Sequence, residues 1–229
     1  MNPPSRTRIK ICGLTREQDV DCAVAAGADA VGFVLYAPSP RFVDAARAAE
    51  LARRLPPFVT PVLLFVNASL DAIAAACQAV PGATLQFHGD ETPQFCAEVA
   101  RQLHRPFLRA ARIPTVGKGS FNLLEFASFY SQAQALLLDA HVDGYGGGGK
   151  TFNWSLLPPS VDAHLVLSGG LDTANVIDGI TQLRPRCKSL AVDVSSGVEV
   201  RKGIKDPEKI HRFVAAVRTA DERILSLRE

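Results

Sequence analysis

Eight short apolar runs, each followed by a glycine-rich or polar turn and most of them by a helical stretch, constrain this chain more than any single motif. The runs occupy residues 8–12, 30–35, 60–66, 84–88, 107–112, 135–139, 164–168 and 189–194, with starts spaced by roughly 22 to 30 residues. Most are continuously apolar rather than alternating, which is the pattern of strands covered on both faces. Helical stretches are expected at 16–26, 44–55, 69–80, 94–103, 123–131, 172–183 and 206–219, and none between 153 and 160, where Pro158-Pro159 interferes. Ser69 and Thr92 are good cap residues, and Pro93 suits a first helical turn. Strand–helix alternation of this kind demands parallel pairing with right-handed crossovers. Eight such units predict a closed (β/α)₈ TIM barrel in the α/β class, with residues 1–229 as one domain. An open doubly wound sheet is the alternative; it usually has fewer strands and a single switch point.

Bulk properties exclude several classes of function. With a net charge of +2 and its 25 Lys and Arg scattered, the chain carries no footprint for nucleic acid or an anionic membrane. No apolar run approaches the roughly 20 residues that span a bilayer, and residues 1–10 lack the core of a secretory signal. The five cysteines, Cys12, Cys22, Cys77, Cys96 and Cys187, are odd in number and show no C-x-x-C spacing. They predict neither a disulfide framework nor a zinc site, and a reducing, cytoplasmic setting fits them best. No metal and no cofactor is expected. The oligomeric state is not settled by sequence, and a monomer is the expectation.

In a barrel, the loops after the strands share one face, and chemistry collects there. The seventh run ends in Leu167-Ser168-Gly169-Gly170 and the eighth in Val192-Asp193-Val194-Ser195-Ser196-Gly197. Glycines admit close approach of backbone N–H groups to an anion, and a following helix adds its dipole. One such loop reads equally as a plain turn; two in adjacent final units point to a phosphate site. By contrast, Gly144 to Thr151 matches the Walker A pattern letter for letter in the wrong context. No strand directly precedes it and no helix directly follows, so a loop over an active site is the better reading.

Cys12 stands at the mouth end of the first run, and Asp139 follows three leucines at the end of the sixth. An isolated cysteine is most often a buried small hydrophobe. At a strand end, a thiolate can instead take a proton from carbon, and Lys10 lies two residues back on the same side. A carboxyl at a half-buried strand end is a candidate general acid, and no helix starts at Asp139 for it to cap. Asp193 is placed similarly and could hold a substrate hydroxyl. Arg41, in the proline-restricted Ser39-Pro40-Arg41, is suited to bidentate carboxylate capture, though a solvated arginine is the commoner fate. His88 ends the fourth run, with Gln86 expected to point inward beside it.

Taken in order, Lys10-Ile11-Cys12-Gly13-Leu14-Thr15, Ser39-Pro40-Arg41, Leu85-Gln86-Phe87-His88-Gly89, Leu138-Asp139, Gly149-Lys150-Thr151-Phe152-Asn153-Trp154, Leu167-Ser168-Gly169-Gly170-Leu171 and Asp193-Val194-Ser195-Ser196-Gly197-Val198-Glu199 resemble the phosphoribosylanthranilate isomerases of tryptophan biosynthesis. The likeness runs from about Lys10 to about Val217. It implies an Amadori rearrangement of a phosphoribosyl amine, with Cys12 as general base and Asp139 as general acid. Arg41 would bind the anthranilate carboxylate, Gly169, Gly170, Ser195, Ser196 and Gly197 the phosphate, and Asp193 would lie near the ribose hydroxyls. Gly148 and Asn153 depart from the family's usual Ser/Thr and Asp, which bears on loop closure and not on the reaction.

Rival functions remain. Another phosphosugar barrel, such as an epimerase or an indole-ring-forming synthase, would need a metal-ligand set or a catalytic lysine on a strand, and neither is expected here. A non-catalytic sugar-phosphate sensor would keep its function without Cys12. A Walker-type nucleotidase would depend on Lys150.

Overall fold

The computed structural model describes residues 6–114, 121–140 and 151–226. Eight parallel strands close into a barrel in sequence order: β1 (Arg8–Cys12), β2 (Ala30–Val34), β3 (Thr60–Phe65), β4 (Thr84–Phe87), β5 (Phe107–Ile113), β6 (Ala135–Ala140), β7 (Val161–Leu167) and β8 (Cys187–Val194). Closure is made by β8 pairing in parallel with β1, from Arg8 opposite Ala191 to Ile11 opposite Val194. The chain is therefore a (β/α)₈ barrel, and the open sheet is excluded.

Around it run α1 (Glu17–Ala26), α2 (Ala45–Ala52), α3 (Leu70–Ala79), α4 (Pro93–Leu103), α5 (Leu123–Phe129), α6 (Val176–Leu183) and α7 (Pro207–Ser226). Local chemistry explains the starts. The side chains of Asp44, Ser69, Thr92 and Asn122 each accept the backbone N–H three residues on, which satisfies an otherwise orphan donor. Between β6 and β7 the described residues hold only a single 3-10 turn, Trp154–Leu156, as the prolines anticipate.

Several elements depart from expectation, and three of the departures matter most. Helix α6 begins at Val176 and not at Asp172, because the Asp172 carboxylate accepts the N–H groups of Ala174 and Asn175 and holds that stretch as a turn. Helix α7 continues past Thr219 to Ser226. Its last turns are anchored where Asp221 accepts the backbone N–H of Thr7 at 2.8 Å and the Arg184 guanidinium at 2.7 Å. Between β8 and α7 lies an antiparallel hairpin, β9 (Glu199–Arg201) and β10 (Ile204–Lys205), which was not anticipated. Lys202-Gly203, with Gly203 at φ +80°, was its available turn signal.

Side chains alternate across the sheet. Outward-facing Ile9, Ile11, Leu136 and Leu138 join the large core beneath the helices. Inward-facing Ala110, Ala135, Leu137 and Val166 fill one part of the barrel, and Cys12, Val34, Leu64 and Val66 another. The same alternation sends Lys10, Gln86 and Asp139 inward, so the barrel's interior turns polar toward the strands' C-terminal ends.

Candidate active site

Cys12 and Asp139 both end up buried at that face, at 4% and 5% exposure, inside one wall of linked polar groups. From β1, the Lys10 ammonium reaches across the closing seam to Asp193 on β8, 2.9 Å away, where the two residues are register partners. On its other side, Asp193 accepts from the Ser168 hydroxyl at the end of β7, at 3.4 Å. Next along, Gly169 is pressed against β6: a methyl group added there would lie 2.7 Å from Asp139 Oδ1. Asp139 Oδ2 in turn meets His88 Nε2 at 3.1 Å, and His88 Nδ1 meets the Gln86 amide nitrogen at 3.0 Å. Residues from β1, β8, β7, β6 and β4 thus form one continuous arc.

Cys12 takes its place through Lys10. A methyl group on Gly32 would lie 2.6 Å from the Cys12 sulfur and 3.1 Å from Lys10 Cε, so both groups share the space above that glycine. Burial pushes the Cys12 thiol up from its ordinary value, opposed chiefly by Lys10 and more weakly by Lys205. That direction is opposite to the lowered value a proton-abstracting thiol calls for, and the Lys10 cation is the main group working against it. For Lys10 itself, burial weakens proton binding, but Asp193 and Cys12 outweigh it. Lys10 shares the interior face with Cys12, as the spacing of two predicts; it is 4% exposed and committed to Asp193.

Arg41 is not an open fork. Its Nε and Nη2 donate to the two carboxylate oxygens of Glu199 at 2.7 and 2.8 Å. One edge of the guanidinium is spent, and a second carboxylate could meet only the remaining Nη edge or displace Glu199. Glu199 comes from the unanticipated hairpin, as does Lys205, whose ammonium donates to Glu199 at 2.9 Å and to the Ser195 carbonyl at 3.0 Å. Burial pushes Glu199 up, yet Arg41 and Lys205 hold it below the usual carboxylate range. Lys205 goes the other way: burial lowers it, and Glu199 offsets this only partly. Sequence reasoning gave Glu199 no role and missed Lys205, since neither lies at the C-terminal end of a barrel strand.

The two glycine loops meet. Gly169 and Gly170 adopt φ +75° and +64°, which only glycine takes without strain. Ser196–Val198 form a 3-10 turn directly after β8, and Gly197 packs so closely on the Leu171 carbonyl that no side chain fits. Gly197 is thus explained by loop-to-loop contact as well as by any anion. At the root of the first loop Ser168 bonds to Asp193, and in the second Lys205 donates to the Ser195 carbonyl. The Walker-like run falls at 141–150, outside the described residues, and Asn153 caps the turn that follows by accepting from Ser155. Among the described residues no group of three or more His, Cys, Asp or Glu is arranged to hold a metal ion.

A sequence model of the family described as N-(5'phosphoribosyl)anthranilate (PRA) isomerase matches residues 9–216. An N-(5'-phosphoribosyl)anthranilate isomerase of Methylibium petroleiphilum is 64% identical over 219 residues, covering 96% of this chain and 97% of that protein. Among solved structures, a phosphoribosyl anthranilate isomerase from Thermotoga maritima superimposes with a TM-score of 0.81 at 38% identity, over 93% of this chain and 99% of that one. A further one, at a TM-score of 0.73 and 33% identity over 93% and 99% of the two chains, is in complex with reduced 1-(o-carboxyphenylamino)-1-deoxyribulose 5-phosphate.

Proposed function

The chain belongs to the N-(5'-phosphoribosyl)anthranilate isomerase family, and from that membership we propose that Cys12 is the general base and Asp139 the general acid of its reaction. As a member, it is an isomerase of tryptophan biosynthesis that converts N-(5-phosphoribosyl)anthranilate into 1-(2-carboxyphenylamino)-1-deoxyribulose 5-phosphate.

Chemically, the conversion needs one proton delivered and one removed. Asp139 gives its proton to the ribose ring oxygen as the C1–O bond opens, leaving a Schiff base. Cys12, as thiolate, takes the proton from C2, and the resulting enolamine tautomerises to the ketose. Each positioned acid or base supplies about 10²–10⁴-fold. Lys10 stabilises the thiolate by charge. Gly169, Gly170, Ser195, Ser196 and Gly197 hold the phosphate, with Lys205 bonded to Ser195. Arg41, braced by Glu199, offers its remaining edge to the anthranilate carboxylate. Asp193 accepts from a ribose hydroxyl while keeping Lys10 in place. Fixing the substrate at both ends keeps its reacting carbons between acid and base, an orientation effect worth several kcal/mol.

One observation carries this assignment: the unbroken run of contacts that joins Cys12, Lys10, Asp193, Ser168, Gly169 and Asp139 along one interior wall. All five cysteines are free, which supports a reducing compartment such as cytoplasm, and no described helix is long and apolar enough to cross a membrane. The steps balance without metal, nicotinamide or flavin. The test is turnover of phosphoribosylanthranilate, followed as loss of its fluorescence, by Cys12→Ala and Asp139→Asn. Each substitution lowers kcat by about 10²–10⁴-fold; near-full turnover by both would overturn the roles assigned.

A further inference from the structure

His88 and Gln86 are not accounted for by acid and base alone, yet both are buried, His88 against Asp139 and Gln86 against His88. Gln86 is 0% and His88 5% exposed. The Gln86 amide nitrogen lies 3.0 Å from His88 Nδ1, and an amide N–H can only donate. With the amide turned this way Nδ1 accepts, the ring proton belongs on Nε2, and Nε2 donates to Asp139 Oδ2 at 3.1 Å. A carboxylate that accepts from a neutral imidazole is held in its ionised form. This arrangement belongs to Asp139 after it has given up its proton. It also leaves Gln86 Oε1 buried with no partner among the described residues, a condition that native structures seldom keep without a reason.

The proton-loaded form requires the opposite arrangement. If Asp139 carries a proton on Oδ2, it donates to a bare Nε2, and the ring proton must move to Nδ1. Nδ1 then needs an acceptor, and turning the Gln86 amide by half a revolution supplies one, the oxygen that is orphaned in the first state. The two states differ by one proton across His88 and Asp139, which is the proton delivered to the ribose ring oxygen. We propose that Gln86 is a positioning residue whose amide turns with each cycle, carrying His88 between the tautomer that holds Asp139 as a carboxylate and the one that lets it hold the proton. This deepens, and rests on, the assignment of Asp139 as general acid.

The charged neighbours are otherwise engaged. On β1 and β8, Lys10 faces Asp193 and Cys12. On β5, Arg109 donates to Glu91 at 3.1 Å, and Arg112 lies 3.2 Å from Asp90, both partners sitting in the loop after β4.

The experiment records histidine ring nitrogens by NMR in the ¹⁵N-labelled full chain, with the His88 signals assigned by their loss in His88→Asn. It is paired with kcat–pH profiles. His88 is expected to carry its proton on Nε2 at high pH and on Nδ1, or on both nitrogens, across the range where the enzyme turns over. Gln86→Glu, whose carboxylate accepts from Nδ1–H, moves the alkaline limb of kcat up by about one pH unit, a tenfold change in the loaded population. Gln86→Met, similar in shape, lowers kcat about tenfold through one lost buried hydrogen bond, with KM within about twofold. An Nε2–H signal throughout the active range, with wild-type limbs in both Gln86 variants, overturns the proposal while leaving Asp139 as the acid. Near-full turnover by Asp139→Asn overturns the acid assignment itself. The wild-type spectrum decides the tautomer even if a Gln86 variant fails to fold.

Discussion

Replacing Lys10 with Met tests stability and chemistry at one position. The ammonium and the Asp193 carboxylate are 2.9 Å apart, with side chains only 5% and 6% exposed. Removing one member of such a pair leaves the other charge buried and uncompensated, which destabilises by about 3–5 kcal/mol. Methionine retains the length and apolar stem, so most of that loss comes from Asp193 and little from packing. Lys10→Met combined with Asp193→Leu removes both charges and should recover most of the stability, because exchanging a buried pair for apolar side chains is often neutral. Activity should not recover with it. Burial already pushes the Cys12 thiol up, and Lys10 is the strongest group opposing that. Without Lys10 the thiol rises further, the thiolate fraction at neutral pH falls, and the ascending limb of kcat/KM moves to higher pH. Urea unfolding of the three proteins gives the stability terms, and iodoacetamide alkylation of Cys12 against pH gives the thiol. A loss below about 1 kcal/mol in Lys10→Met, together with an unmoved alkylation profile, would refute both the coupling of the pair and the role of the cation beside the thiol.

Two further outcomes follow from the packing. Gly169→Ala would place a methyl 2.5 Å from the Ala140 backbone nitrogen and 2.7 Å from Asp139 Oδ1, at φ +75°. Stability should fall by about 1–2 kcal/mol from the left-handed backbone, while kcat falls about 10²-fold or more as Asp139 shifts; a kcat within about twofold of wild type would show that Asp139 is not held by this loop. At high pH, burial pushes Cys96 up to about 12 and Cys187 up to about 11, against 9.0 for an ordinary thiol. The folded chain keeps these protons after the unfolded chain has lost them. Their contribution is complete below about pH 9 and declines as pH rises toward 11 to 12, by roughly 1.4 kcal/mol per unit for each thiol. Cys96→Ser should flatten that slope in denaturant titrations, and an unchanged slope would count against the burial argument.

The order of strands and helices could be read from the chain, since apolar runs and cap residues are local signals. Ser69, Thr92 and Asn122 cap their helices from positions three residues away, within one turn of backbone. Alternation along a strand also told that Lys10 shares a face with Cys12, and Gln86 with His88, because that depends only on spacing of two. Glycines at the ends of the seventh and eighth strands marked the paired loops for the same local reason. What those side chains touch was another matter. Lys10 finds Asp193, His88 finds Asp139, and Arg41 is occupied by Glu199 across sequence separations of 183, 51 and 158 residues. A hydrogen bond is decided within a few tenths of an ångström by barrel closure and strand register, and no periodicity carries that information. The hairpin that delivers Glu199 and Lys205 is too short to announce itself, and only its packing on the loop after β2 gives it a purpose. Fold and catalytic faces were thus written in local pattern, while the partners that set each group's charge were chosen by closure of the barrel.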